Sequence, residues 1–290
     1  TTIHRGHLEM LLRRKLFNDY ASLSHYDKIV GLQLSDYLIQ RGEIEQIIQC
    51  LRLMSAGRTE EFFFAMPLFF SSQTHLDYVA MSHAKSYQDL LATMSGTPYK
   101  KILEQYPPEA DGRIRLTEIE NALNTHLVET LFTVIDKTRG KLREQLINLC
   151  GTQVDAMNVS RIMRMKKYFH MPPDEIRRNL LPFGRCISKR TMESMIAAPT
   201  AEEVMTIFYT TAVGKKIPEN QRMLVHDLYH RAPYYNARRH IHFSIHPMVV
   251  MISYIIITEL ELDDIINIIE GIRYGLAPEE IKPMLVMIEH

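Results

Sequence analysis

The 290-residue chain has no tryptophan, only three cysteines and no net charge. Cys50, Cys150 and Cys186 are odd in number and include no close pair. They therefore offer neither a disulfide framework nor a zinc ligand set, and they fit a reducing compartment. Thirty-four Lys/Arg balance 34 Asp/Glu, which leaves no global field to favour nucleic acid or an anionic membrane. The longest apolar run, Met248 to Ile257, covers about half of the roughly 20 residues a bilayer-spanning helix needs, so no direct membrane span is expected. There is no phosphate-cradling GxxxxGK[ST] loop, GxGxxG turn, GxSxG elbow or CxxC pair. Nothing here calls for a cofactor.

What is present is a core and a repeat. Hydrophobic residues make up 46% of the chain, enough for a sizeable interior. The last stretch, Thr258 to His290, places Leu262, Ile265, Ile268, Ile269 and Ile272 on one helical face, with Asp263, Asn267 and Glu270 opposite. Gly275 is suited to the left-handed helix stop, Leu276 to folding back over the last turn, and Pro278 to the first position of a second helix. Glu279 and Glu280 then meet that helix's positive end. The same unit occurs twice more. Glu43-Ile44, Ile47-Ile48 and Leu51-Arg52 lead to Gly57 and Thr59-Glu60-Glu61. Asn158-Val159, Ile162-Met163 and Lys166-Lys167 lead to Pro172-Pro173-Asp174-Glu175. Arg52, Lys167 and Arg273 align at a spacing of about 110 residues. That period exceeds the roughly 20–50 residues of common solenoids and predicts three copies of a small helical bundle.

In the rest of the chain, helices are expected over His4 to Leu16, Ser24 to Gln40, Ser86 to Met94 and Leu116 to about Leu149. A loop spans Tyr106 to Gly112, Gly151-Thr152 separates two helices, and Thr200 with Glu203 forms a capping-box pattern. The β-branched run Val249 to Ile257 would pass as a strand on propensity. It flows without a turn residue into the repeat helix, so it is expected to be helical too. The fold class is all-α, in three repeats over 1–70, 71–185 and 186–290, the first shortened at its start.

The pattern acid-hydrophobic-x-x-Ile-hydrophobic, then Arg273, then Gly275-Leu276-Ala277-Pro278-Glu279-Glu280-Ile281, resembles the C subunit of the A/V-type ATPases, the counterpart of the d subunit in the eukaryotic vacuolar enzyme. Ala84-Lys85-Ser86 through Gly96-Thr97-Pro98-Tyr99 is similar to that family's other recurrent segment. The resemblance implies a funnel-shaped, pseudo-threefold connector without catalytic residues. It implies partners as well: the membrane ring of proteolipid subunits and the central shaft made by the D and F subunits. One copy would couple the two for H⁺ or Na⁺ transport, monomeric when alone, on the cytoplasmic side and peripheral to the membrane. The three turns are the candidate partner-binding rim: Ser55, Gly57 and Thr59; Phe169, Met171 and Pro173; Gly275, Leu276 and Pro278.

Two other readings stand beside it. His226 and His230 share a helix face at metal-ligand spacing, as in HExxH with aspartate for glutamate, and would suit a metal-dependent hydrolase. The shorter Asp227 reaches less far as a base, and these histidines, with His240, His242 and His246, would equally form a polar helix surface. The uneven repeats would also suit a helical scaffold outside the motor. The pairs Glu60-Glu61, Asp174-Glu175 and Glu279-Glu280 are explained by helix dipoles rather than acid–base chemistry. Charge is uneven as well. Residues 161–190 hold nine Lys/Arg against two acids, and 258–290 hold eight acids against two bases, which reads as solvated faces or a marked partner surface.

Overall fold

The computed structural model describes residues 34–62, 74–182, 184–217, 219 and 228–287. Among these there are helices and no strands. The chain divides into two compact units, the boundary falling between Leu131 and Phe132.

The first unit contains α1 (Leu34–Ser55), α2 (Tyr78–His83), α3 (Tyr87–Thr93), α4 (Pro98–Leu103) and most of α5 (Leu116–Asp136). Ile44, Ile47 and Leu51 line one face of α1 and pack with Tyr78, Leu90, Met94, Leu103 and Leu123 in one core. Ser86 caps α3 reciprocally, its hydroxyl accepting the Asp89 N–H while the Asp89 carboxylate accepts the Ser86 N–H. Pro98 begins α4, where its missing N–H costs nothing. These roles account for Ser86 and Pro98 in the recurrent segment.

The second unit holds the end of α5, then α6 (Gly140–Phe169), α7 (Pro173–Arg178), α8 (Lys189–Ala197), α9 (Ala201–Thr210), α10 (Leu228–Phe243), α11 (Pro247–Arg273) and α12 (Pro278–Ile281). Val159, Ile162, Met192, Met195, Val204 and Phe208 form its core. Thr200 caps α9 by accepting the Glu203 N–H. The β-branched run is helical, as part of α11.

Four sequence expectations are corrected. The motif helix does not start afresh after Gln40; α1 runs unbroken from Leu34 through a buried Gly42. The long helix from Leu116 stops at Asp136, and the next begins at Gly140, which takes φ 58°. Gly151-Thr152 does not separate helices; it lies in the middle of α6. Gly151 is there for packing, because a Cβ on it would lie 1.8 Å from the Gly184 carbonyl oxygen. Lastly, Ile272 is not on the inward face but 67% exposed, Ile265, Ile268 and Ile269 are only half-buried, and the buried residues of α11 from Thr258 on are Leu260, Leu262, Asp264 and Gly271. The helix His4–Leu16 and His226 lie outside the described residues, as do Phe63, Phe64, Phe69 and Phe70. Phe62 is fully buried.

Candidate functional site: three capped turns and their buried clamps

Each of the three aligned helices ends on a left-handed residue. These are Gly57 (φ 68°) after α1, His170 (φ 49°) after α6 and Gly275 (φ 71°) after α11. At Gly57 the Arg58 N–H returns to the Leu53 carbonyl and the Gly57 N–H to Met54. At Gly275 the Leu276 N–H returns to Gly271 and the Gly275 N–H to Ile272. Both are Schellman stops, which occupy carbonyls the helix end would otherwise leave open. Histidine at the third stop is strained, since the left-handed helical region costs a residue with a Cβ roughly 1–2 kcal/mol. Replacing His170 by glycine is therefore expected to raise stability by up to about 1 kcal/mol, read as a higher urea midpoint. An unchanged or lower midpoint would mean that the imidazole itself holds the turn.

Behind each turn sits a buried polar side chain at the same repeat position. Glu43 accepts the His75 N–H at 2.6 Å, the Thr74 hydroxyl at 2.8 Å and the Tyr99 hydroxyl at 2.6 Å. Asn158 accepts the Leu181 N–H at 2.9 Å and donates back to the Leu181 carbonyl at 3.1 Å. Asp264 accepts the Val286 N–H at 2.9 Å and the Met287 N–H at 2.9 Å. All three side chains are buried, so each fixes the chain that returns after its turn. A buried polar group persists only when it is hydrogen-bonded, and these are. Asp155, one turn before Asn158, adds a second clamp: its carboxylate accepts the N–H groups of Gly184, Cys186 and Ile187. Burial pushes the Asp155 pKa up, and the three N–H donors pull it back. The aligned motifs place Glu43, Asn158 and Asp264 in register, but spacing alone carries no signal that the position faces inward.

None of the nine candidate rim residues is buried. Ser55, Gly57, Phe169, Pro173, Gly275 and Pro278 are exposed; Thr59, Met171 and Leu276 are half-buried. Beside them the structure exposes apolar side chains that sequence reasoning missed: Tyr168 at 56%, Ile272 at 67% and Tyr274 at 73%, next to Phe169 at 62%. The Lys167 ammonium lies over the Tyr168 ring, 5.5 Å from its centroid. A large apolar residue after the aligned basic residue was the available signal.

Helix directions bring two of the turns together. Gln145 meets Ser244, Asn148 meets His240 and Thr152 meets Asn236, so α6 and α10 run antiparallel. Helices α10 and α11 are joined by three residues and pack against one another as a hairpin. Helices α6 and α11 therefore run the same way, and the turns at His170 and Gly275 emerge at one end of this unit.

The acid pairs all begin helical turns, at Thr59–Glu61, α7 and α12. The Glu280 carboxylate folds back to accept the Ala277 N–H at 2.8 Å. Among the described residues no group of three or more His, Cys, Asp or Glu is placed to hold a metal. His230 lies in the first turn of α10 and only its backbone is described; its side chain and the whole of His226 lie outside the described part of the chain. His240 instead joins a polar cluster with Asn148, Asn236 and the Lys216 ammonium. Burial and the neighbouring Lys216 charge depress the His240 pKa, and burial likewise depresses that of Lys216.

Residues 1–284 match the ATP synthase (C/AC39) subunit family. The chain belongs to that family. It is 26% identical over 274 residues to the A-type ATP synthase C subunit of Methanosarcina mazei, covering 91% of this chain and 74% of that protein. It is 28% identical over 222 residues to the A-type ATP synthase C subunit of Methanosphaera stadtmanae, covering 72% of this chain and 57% of that one. The corresponding protein of Pyrococcus abyssi is 24% identical over 213 residues, 71% of this chain and 56% of that protein. No solved structure matches. This C/AC39 chain is thus of a non-catalytic type, and none of its described helices is long and apolar enough to cross a membrane.

Proposed function

We propose that this C/AC39 chain is the central connector of a rotary ATPase, holding the D–F shaft to the proteolipid ring and transmitting torque between them. One copy serves each complex, on the cytoplasmic side, and H⁺ or Na⁺ movement is coupled through it. The observation that carries the reading is the recurrence, in a member of this family, of one device at three positions: a left-handed stop, an exposed turn and a buried clamp behind it. Three such devices suit three pseudo-symmetric repeats seated on a ring, each offering a similar surface. The clamps suit torque transmission, because a close-packed interior transmits strain instead of absorbing it. Phe169, Met171, Pro173, Gly275, Leu276 and Pro278, with Tyr168, Ile272 and Tyr274, form a surface of the 132–290 unit that meets one of the two partners, and Ser55, Gly57 and Thr59 offer a similar turn on the first unit.

Capture by the full chain of purified D–F complex and of detergent-solubilised proteolipid ring tests both parts. Wild-type protein is expected to bridge the two. The Y168S/F169S/Y274S variant is expected to lose one partner by about thirtyfold or more, as when central aromatic anchors are truncated, and to keep the other. Wild-type protein that folds and captures neither partner sinks the connector; a variant that keeps both sinks the rim.

A further inference from the structure

The opposite end of the 132–290 unit is also marked. It is built from the α5–α6 connection Lys137–Arg139, the first turns of α6, and the α10–α11 connection Ser244–His246. The Ser244 hydroxyl donates to Gln145 Oε1 at 2.8 Å and seats that connection on α6. On either side of the anchored serine, Phe243 is 79% and Ile245 82% exposed, more than any other large hydrophobic residue described. Helix α11 is about 40 Å long, so this tip stands far from the turn at Gly275.

The surroundings are basic. Residues 136–145 and 238–246, with Arg185 beside them, hold seven Lys/Arg (137, 139, 141, 143, 185, 238 and 239) and two acids, Asp136 and Glu144. Asp136 is already bound by Arg143 and Arg185, at 2.8 and 2.6 Å, and this pairing holds its pKa down at about 2. The positive excess is therefore local, in a chain whose total charge is zero.

The size of the apolar part decides what it fits. A stable protein interface buries on the order of 1,000 Å² or more around a hydrophobic centre. Two protruding side chains at an end rich in bases form no such centre. They match a bilayer surface, where bases meet phosphate groups and short apolar tips reach about 5–10 Å into the boundary between headgroups and acyl chains. We infer that this end of the unit seats on anionic lipid headgroups, with Phe243 and Ile245 inserted and Lys137, Arg139 and Lys141 on the phosphates. The inference does not depend on the connector role.

Flotation of the full chain with vesicles tests it, using phosphatidylcholine alone and phosphatidylcholine mixed with phosphatidylglycerol. The chain is expected to float with the mixed vesicles, to stay behind with the neutral ones and to be released by high salt. R139Q/K141Q is expected to weaken binding about 25-fold, roughly fivefold per charge removed from the surface. F243S/I245S, which alters exposed side chains only, is expected to weaken it on the order of a hundredfold. No flotation of the wild type, or equal flotation of both variants, overturns the inference. So does loss of detergent-solubilised ring or shaft in F243S/I245S, which assigns the tip to a protein. Flotation without capture of ring or shaft leaves this inference standing and overturns the connector instead.

Discussion

Asp155→Ala is expected to destabilise the protein by about 3–4 kcal/mol. The Asp155 carboxylate is fully buried and accepts the N–H groups of Gly184 at 2.9 Å, Cys186 at 2.8 Å and Ile187 at 2.7 Å. Alanine leaves all three donors without an acceptor, at about 1–3 kcal/mol for each buried orphan. Removing a carboxylate that burial already disfavours offsets part of that sum. Asp155→Asn is nearly isosteric but keeps one acceptor oxygen and turns an N–H₂ group either toward both Cys186 and Ile187 or toward Gly184. It is expected to recover little. In a unit of this size the thermal midpoint would fall by roughly 10 °C, at about 2–4 °C per kcal/mol. A loss below about 1 kcal/mol in urea titration would show that water replaces the carboxylate, and that the clamp is not what holds 184–187 to α6.

Gly151→Ala is the second large effect, and its sign is diagnostic. By helix propensity alone, alanine in mid-helix would stabilise by about 1 kcal/mol. Packing reverses this. The new Cβ would lie 1.8 Å from the Gly184 carbonyl oxygen, and a Cβ on Gly184 would lie 2.1 Å from the Gly151 oxygen. Both obstacles are backbone, so no rotamer change relieves them and the 184–187 segment must move off the helix. A loss of about 3 kcal/mol is expected, at the upper end of overpacking costs. Because Gly151 and Asp155 hold the same segment, the double variant G151A/D155A should lose clearly less than the two single losses added. A stabilised G151A would mean that the contact between the two glycines does not form in solution.

The two effects also mark where sequence reading reached its limit. The stop at Gly275 and the proline start of α12 are local rules, set by neighbours within a few positions, and both are realised. The capping pair Ser86–Asp89 and the acid-led turns are local in the same way. Gly151 misled because glycine punctuates a chain in local statistics, whereas here its missing side chain admits a backbone 33 positions away. Ile272 misled because its spacing continues the apolar face, but it falls in the last turn of α11, where it stays largely exposed. At the candidate rim the turns were legible as glycine and proline signals. Tyr168 and Tyr274 were not, since exposure is decided by what packs above a residue.

The sequence alone determined the all-α class, the three aligned motifs, the turn residues between their helices and the family, because each rests on near-neighbour spacing or on order along the chain. Only the tertiary structure decided that Glu43, Asn158 and Asp264 turn inward, that α6 passes straight through Gly151, and that Phe243 and Ile245 stand out at the end away from the turns at His170 and Gly275. A polar residue is stable inside only if a partner comes to it, and those partners lie 22 to 56 residues further along the chain. No local pattern records where the chain returns.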